Sequence, residues 1–553
     1  MNVKRSRRGA LMLVSIGAFM ATPSTAKSQS SDELVTYTEA RQPCEERFPL
    51  RKALFGEFHL HSSYSFDAFA AGTRNDPEAA LAFARGEPIT LVSANRNETI
   101  QLSRPLDFAA VTDHAEFLGV FDLCLRPGSP SFGTGSCLRS LRGPLRRARE
   151  EDDLVGVRQN NGGPLSGIIA TAWTRSQQAV EAAYDRTSAC SFTAFNAFEY
   201  SAIPNGNMNH RNVIFRNSVV PDLPVGFLDE DTPQGLWNRL DAECTNAGNQ
   251  CDVLAIPHNP NFSSGILFDL EYGGLTDPAA QAAQGRQRAR LEPLVEIYQH
   301  KGASECSPAF SSDEQCGFEI IDQPLCQDGN EGDGGILTGC TTPLNFVRGA
   351  LAQGLAEKER IGVNPFKLGI VASTDSHNGN PGNAEEQDWV GHVGNQDSDT
   401  VNSDPEFSPG GLVGVWSVEN SRDAIFEALR RRETFGTSGP RIQIRLFAGW
   451  DYPQNMCRRA DAIAVGYQSG VPMGGTVDGS DARSALAEGP TFVLQALNDQ
   501  TPLQVAQIVK LWIDGGAVVG VARDVIDPFL QFAGRGVDPQ LDDLGDLKRR
   551  LVV

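Results

Sequence analysis

The stretch Leu54-Phe-Gly-Glu-Phe-His-Leu-His61 alternates in the two-residue period of a β-strand, with Phe58 and Leu60 on one face and His59 and His61 on the other. The same design recurs along the chain as short apolar runs that close on a histidine or a carboxylate. Asp107 to His114 closes on Asp113 and His114, and Phe192 to Tyr200 carries Glu199 near its end. Asp252 to Asn259 carries His258, Leu294 to His300 ends on His300, and Lys367 to His377 closes on Asp375 and His377. Six such runs, with polar residues gathered at their C-terminal ends, predict an α/β fold with a barrel-like core. In such a core the strand ends open onto one shared mouth. Helices are expected over Asp76 to Arg85, Pro278 to Leu291 and Ser421 to Arg432.

Of eight histidines, six (His59, His61, His114, His258, His300 and His377) lie in those runs. A lone histidine is often a satisfied core residue, but a set collected at strand ends beside Asp and Glu has no packing reason to be there. Imidazole with carboxylate suits Zn, Mn or Fe rather than Ca or Mg, and the candidates outnumber the ligands of one tetrahedral ion. Two to three divalent ions are therefore expected. The other two histidines are His210, in an Asn-rich segment read as a loop, and His392, in a Gly-rich loop read as surface.

Lys and Arg number 48 against 69 Asp and Glu, a net charge of −21. That balance disfavours nucleic-acid binding by a basic surface and attachment to anionic lipid. An anionic small molecule can still be handled where metal ions supply positive charge. Residues 1–26, with Lys4, Arg5, Arg7 and Arg8 ahead of an apolar run, read as an export signal of the general secretory or twin-arginine type. That apolar run is too short for stable membrane insertion. Eleven cysteines fit a periplasmic or secreted protein. Cys124/Cys137, Cys244/Cys251, Cys306/Cys316 and Cys326/Cys340 are close enough in sequence to staple loops, and the odd count leaves a thiol over. Asp328 to Asp333 lacks the spacing of a calcium loop and reads as a disulfide-bordered surface loop. After an extension over 27–50, the catalytic unit is expected at 51–439 and a small β-rich accessory domain with its tail at 440–553. Its strands are expected at Arg441 to Phe447, Thr491 to Leu497 and Gln507 to Ile513, ahead of a charged tail from Asp538 to Arg550.

The ordered set His59-Leu-His61, Ser65-Phe66-Asp67, Thr112-Asp113-His114, Glu199, His258 and Asp375-Ser-His377 resembles the PHP superfamily, named for its polymerase and histidinol-phosphatase domains. Gly56 to Asp67, Arg104 to Glu116, Asn209 to Arg216, Ile256 to Asn259 and Val295 to Glu305 are closer still to a bacterial family of exported proteins built on that domain. The resemblance spans roughly residues 50–445. It implies a distorted seven-stranded (β/α) TIM-like barrel holding three divalent metals. The first would be held by His59, His61, Glu199 and Asp375. The second would share Glu199 and add His258 with His210, and the third would use Asp67, His114 and His377. His300 is the rival of His210, or a substrate-facing acid.

Superfamily members cleave phosphate esters with a hydroxide generated between metals, so phosphoester hydrolysis leads. Asp113 is expected to orient His114, to act as general base, or merely to cap a helix. Arg211 and Lys301 are candidate cations for a phosphate. Hydrolysis of carboxylic esters, lactones or amides, and a non-catalytic metal-binding role, are the alternatives.

Overall fold

The computed structural model describes residues 35–526 except 94–95, 130, 136, 138–163, 271, 322, 327–338, 386–388, 398–407, 478–488, 504 and 515–516. The export signal at 1–26, the Asp328 to Asp333 stretch and the tail from Asp538 lie outside the described residues.

The chain runs β1 (Lys52–Glu57), α1 (Phe66–Ala70), α2 (Pro77–Ala84), β2 (Ile89–Ser93), β3 (Arg96–Ile100), β4 (Phe108–Ala110) and α3 (Val120–Leu125). It continues through α4 (Pro164–Ala183), β5 (Thr193–Phe195), β6 (Ala197–Ala202), β7 (Asn209–Phe215), α5 (Pro233–Leu240), β8 (Val253–His258) and α6 (Pro278–Leu291). Next come β9 (Leu294–Glu296), β10 (Tyr298–Gln299), β11 (Gly302–Ala303), α7 (Val347–Ile361), β12 (Gly369–Val371), β13 (Leu412–Ser417), α8 (Arg422–Arg431) and β14 (Thr434–Thr437). Last are β15 (Gln443–Gly449), α9 (Ala462–Ser469), β16 (Val471–Pro472), β17 (Thr491–Leu497), β18 (Ala506–Asp514) and β19 (Ala517–Ile526).

The three expected helices form where their capping residues dictate. Asp76, Asp277 and Ser421 each accept a backbone N–H from the first turn, and proline at the first position of α2 and α6 presets the helical φ. Helix α8 buries Ile425, Phe426, Ala428 and Leu429 completely. Each of its three large side chains contributes roughly 1.5–3 kcal/mol through burial.

The sheets form a mixed α/β fold. A five-stranded sheet has the order β14-β13-β1-β4-β5, the three strands β6-β7-β8 form a second sheet, and β9 pairs with β12. Gly56 lets β1 approach β4, since a Cβ there would collide with the ring and carbonyl of Phe108. The hydrogen-bonded ladders do not close into the expected seven-stranded barrel among the described residues. Strand β7 runs antiparallel to β6 and β8, and β13 antiparallel to β1 and β14. The chain from Ala202 to Asn209 is too short for the crossover that a parallel β6–β7 pair would need.

Beyond β14, β15 pairs with β16 and β17, and β18 with β19, close to the three strands expected there. This part packs on the main body. Trp416 Nε1 donates to the Ile444 carbonyl at 3.0 Å, and the Arg445 guanidinium lies 3.5 Å from the centre of the Trp416 ring.

All four neighbouring cysteine pairs are disulfides. A fifth, Cys44–Cys190, ties the N-terminal segment to the body and was not foreseen, and Cys457 is left as an exposed thiol. Among the described residues no helix is long and apolar enough to cross a membrane.

Candidate metal centre

Strand β1 delivers the first two histidines. Just past its end, Leu60 bridges Ser376 in parallel, Asp375 N donates to the His59 carbonyl at 2.9 Å, and His61 N donates to the Ser376 carbonyl at 2.8 Å. These bonds seat the turn after β12 against the end of β1. Asp375 there adopts φ +55°, a strained conformation concentrated at functional sites.

The second sheet delivers the next group. Its register sets Ser201, His210 and His258 in one row and Glu199, Asn212 and Ile256 two rows away. His210 is therefore a strand residue rather than a loop residue. Because β7 is antiparallel, its N-terminal end lies beside the C-terminal ends of β6 and β8.

Two carboxylates organise these histidines. Nε2 of His59 and of His61 lie 3.4 and 3.2 Å from Glu199 Oε2, and each lies 3.1 Å from Asp375 Oδ1. The other Glu199 oxygen faces His210 Nδ1 at 2.8 Å and His258 Nε2 at 3.2 Å. A third carboxylate, Asp67, sets Oδ2 3.0 Å from His114 Nε2 and 3.1 Å from His377 Nε2. The second Asp375 oxygen faces His300 Nε2 at 3.2 Å and the Lys301 ammonium.

Donor atoms lie within 4.8 Å of one another in four overlapping groups: His61, Asp67, His114 and His377; His59, Glu199 and His258; His59, His61 and Asp375; and His300, Asp375 and His377. His210 stands outside these groups, attached through Glu199. These groups overlap the expected sets, with His61 also within reach of the Asp67 set and His59 also within reach of Glu199 and His258.

The donor set fits divalent metal. It is made of imidazole and carboxylate and is buried except for the half-buried Asp67, and Glu199 Oε2, Asp375 Oδ1 and His210 Nε2 are buried without a hydrogen bond. Burial opposes ionisation of Glu199, but the His114 and His258 imidazoles outweigh it and hold the carboxyl well below its ordinary range. Asp375 is held low against burial by His59, Lys301 and His300. Burial, reinforced by His59, takes His258 down to about 3.

Three sequence expectations need correction. The Asp113 carboxylate accepts from Ser62 N and Ser62 Oγ, both at 2.6 Å, so it fixes the segment after His61 instead of orienting His114 or capping a helix. Neighbouring residues of an extended chain face opposite ways, so Asp113 and His114 cannot share a face. Arg211 is sealed in the body, where its Nε donates to Glu292 at 2.8 Å, and it cannot serve a substrate anion. His392 is fully buried, with Nε2 2.7 Å from the Pro409 carbonyl. His300, held well below its ordinary value by burial and Lys301, sets Nε2 3.2 Å from Asp375 Oδ2 and shares a donor group with Asp375 and His377.

Several supporting residues escaped the sequence reading. Glu296 lies 3.0 Å from His59 Nδ1, and Ser65 Oγ lies 2.7 Å from His61 Nδ1 while accepting from His114 N. Ser201 Oγ contacts His114 Nδ1. Glu57, pushed up to about 7 by burial, accepts the backbone N–H groups of His59, Thr374 and Gly382. The two-residue period already put Glu57 on the face of His59 and His61, and a carboxylate inside the apolar run from Leu294 was the signal for Glu296.

Fold and site together define a mixed α/β protein with a buried histidine–carboxylate centre able to hold metal ions. The chain belongs to the family described as a protein of unknown function, DUF3604, whose pattern matches residues 49–526. No curated protein matches it. Among solved structures it is similar to a two-domain protein from Bacteroides vulgatus that contains a predicted PHP-like metal-dependent phosphoesterase. The two are 10% identical, the match covers 88% of this chain and 100% of that one, and the TM-score is 0.30.

Proposed function

We propose that this protein is an exported, multinuclear metal-dependent hydrolase of the PHP type, with small anionic phosphoesters as its substrates. The observation that carries the reading is the double use of Glu199. One of its oxygens faces His59 and His61 and the other faces His210 and His258, the arrangement of a carboxylate shared between two ions.

In this reading His59, His61, Glu199 and Asp375 hold one ion. Glu199 and His258, with His210, hold a second, and Asp67, His114 and His377 a third. Bound divalent ions supply Lewis acidity toward ester oxygens and lower the pKa of water. The chain's own residues do the rest. Glu296, Ser65 and Ser201 fix the imidazole rings, and Glu57 and Asp113 fix the backbone beneath them. The resemblance to distorted TIM-like barrels belongs to the same reading, with 51–439 as the catalytic unit and the strands from β15 onward as an accessory part. Five disulfides and the N-terminal sequence support a periplasmic or secreted location.

The test is elemental analysis per chain of protein purified without a chelating tag, followed by assays on phosphomonoesters, phosphodiesters, carboxylic esters and amides. Two to three equivalents of Zn, Mn or Fe with phosphoester turnover are expected. Turnover restricted to carboxylic esters or amides would move the reading to that bond class. Folded protein holding less than half an equivalent would overturn it.

A further inference from the structure

We propose that Lys301 is the cation that receives the substrate's anionic group beside the metal centre, an assignment that rests on the hydrolase reading above. The two-residue turn His300-Lys301 joins β10 to β11 and projects the lysine to the cluster, where its ammonium pairs with Asp375 Oδ2.

The backbone is fixed for that purpose. Lys301 N donates to Gln299 Oε1, the Lys301 carbonyl accepts from Asn261 Nδ2 at 3.0 Å, and Gly302 takes the φ of +92° that closes the turn. Gln299 Nε2 in turn donates to the same Asp375 oxygen at 2.9 Å. Asp375 therefore divides its work, with Oδ1 toward His59 and His61 and Oδ2 toward Lys301 and its neighbours.

An ammonium has three N–H donors, and the carboxylate oxygen uses one. The side chain is 15% exposed, so it is not sealed from solvent as Asp375 is. The other cation singled out in the sequence, Arg211, is 1% exposed and committed to Glu292. In a chain of net charge −21, a cation held against a ligand carboxylate is a local device for drawing in a negatively charged group. A flexible lysine serves phosphate as a point charge.

The test uses Mn-loaded protein in three forms: wild type, Lys301→Met and Lys301→Arg. Bound metal is measured per chain, and inorganic phosphate is titrated calorimetrically. At equal metal content, K301M is expected to bind phosphate about 10-fold more weakly, with part of the affinity restored in K301R. Unchanged phosphate affinity in K301M would overturn the assignment, as would wild-type protein that binds no phosphate. Loss of metal in K301M would also overturn it, by reducing Lys301 to a support for Asp375. If phosphate binding needs Lys301 but no phosphoester is turned over, the anion site stands and the hydrolytic reading falls.

Discussion

His59 Nδ1 lies 3.0 and 3.1 Å from the two oxygens of Glu296, on the ring edge away from Nε2, which faces Glu199 and Asp375. A carboxylate behind a ligand histidine fixes the tautomer, holds the ring plane and raises the basicity of the donor nitrogen. Glu296→Gln keeps the shape of the contact and removes its charge. Metal affinity is expected to fall about 10- to 100-fold, measured by chelator competition, with the far-ultraviolet circular dichroism unchanged. Unchanged affinity would mean that packing alone orients His59.

Asp375 has the most to lose from neutralisation, since it faces both His59 and His61 through one oxygen and His300 through the other. Asp375→Asn retains one oxygen and the side-chain volume. It is expected to abolish hydrolysis and lower bound metal while the fold persists. Wild-type turnover with a full complement of metal in this variant would remove Asp375 from the metal-dependent mechanism.

The sequence was most informative where a residue's role is decided by its near neighbours. The alternation around Phe58 and Leu60 was enough to set His59 and His61 on one face, and Asp76, Asp277 and Ser421 announced their helices by local capping chemistry. It was least informative where the partner is remote. His210 looked like a loop residue because the pairing that makes β7 a strand comes from β6 and β8, one of them more than forty residues away. Arg211 looked available because Glu292, which neutralises it, lies 81 positions further on. Cys44 and Cys190, 146 residues apart, carry no local sign of their pairing.

That long-range disulfide should matter more for stability than the short ones. In the chain-entropy account, closing a loop of 146 residues removes about 5 kcal/mol of unfolded-state freedom, against about 2 kcal/mol for the 7-residue Cys244–Cys251 loop. The bond also pins the N-terminal segment, which is otherwise held by bonds such as Gln42 N to the Arg186 carbonyl and Phe48 N to the Val418 carbonyl. Paired Cys→Ser replacement at 44 and 190 is expected to lower the Tm by more than the same replacement at 244 and 251. Equal Tm values in the two variants would show that the N-terminal segment is anchored without its covalent tie.

Acid stability offers a test of the body away from the metal centre. Glu292 is buried between Arg211 Nε at 2.8 Å and Arg288 Nε at 3.1 Å, and it also accepts from Trp237 Nε1 at 2.9 Å. Burial opposes its ionisation, but the two guanidiniums outweigh burial and hold the carboxyl below its ordinary value. A carboxyl whose folded pKa lies below its unfolded pKa contributes stability above the unfolded value, about 4.3, and loses that contribution as pH falls through the folded value. Urea unfolding of wild type is therefore expected to weaken progressively below about pH 4.3. Glu292→Gln should be destabilised at neutral pH, because two buried guanidiniums lose their counter-charge, and the gap to wild type should narrow as pH falls. A gap that stays constant from pH 7 to pH 3 would show that the Glu292 charge does not support this part of the fold.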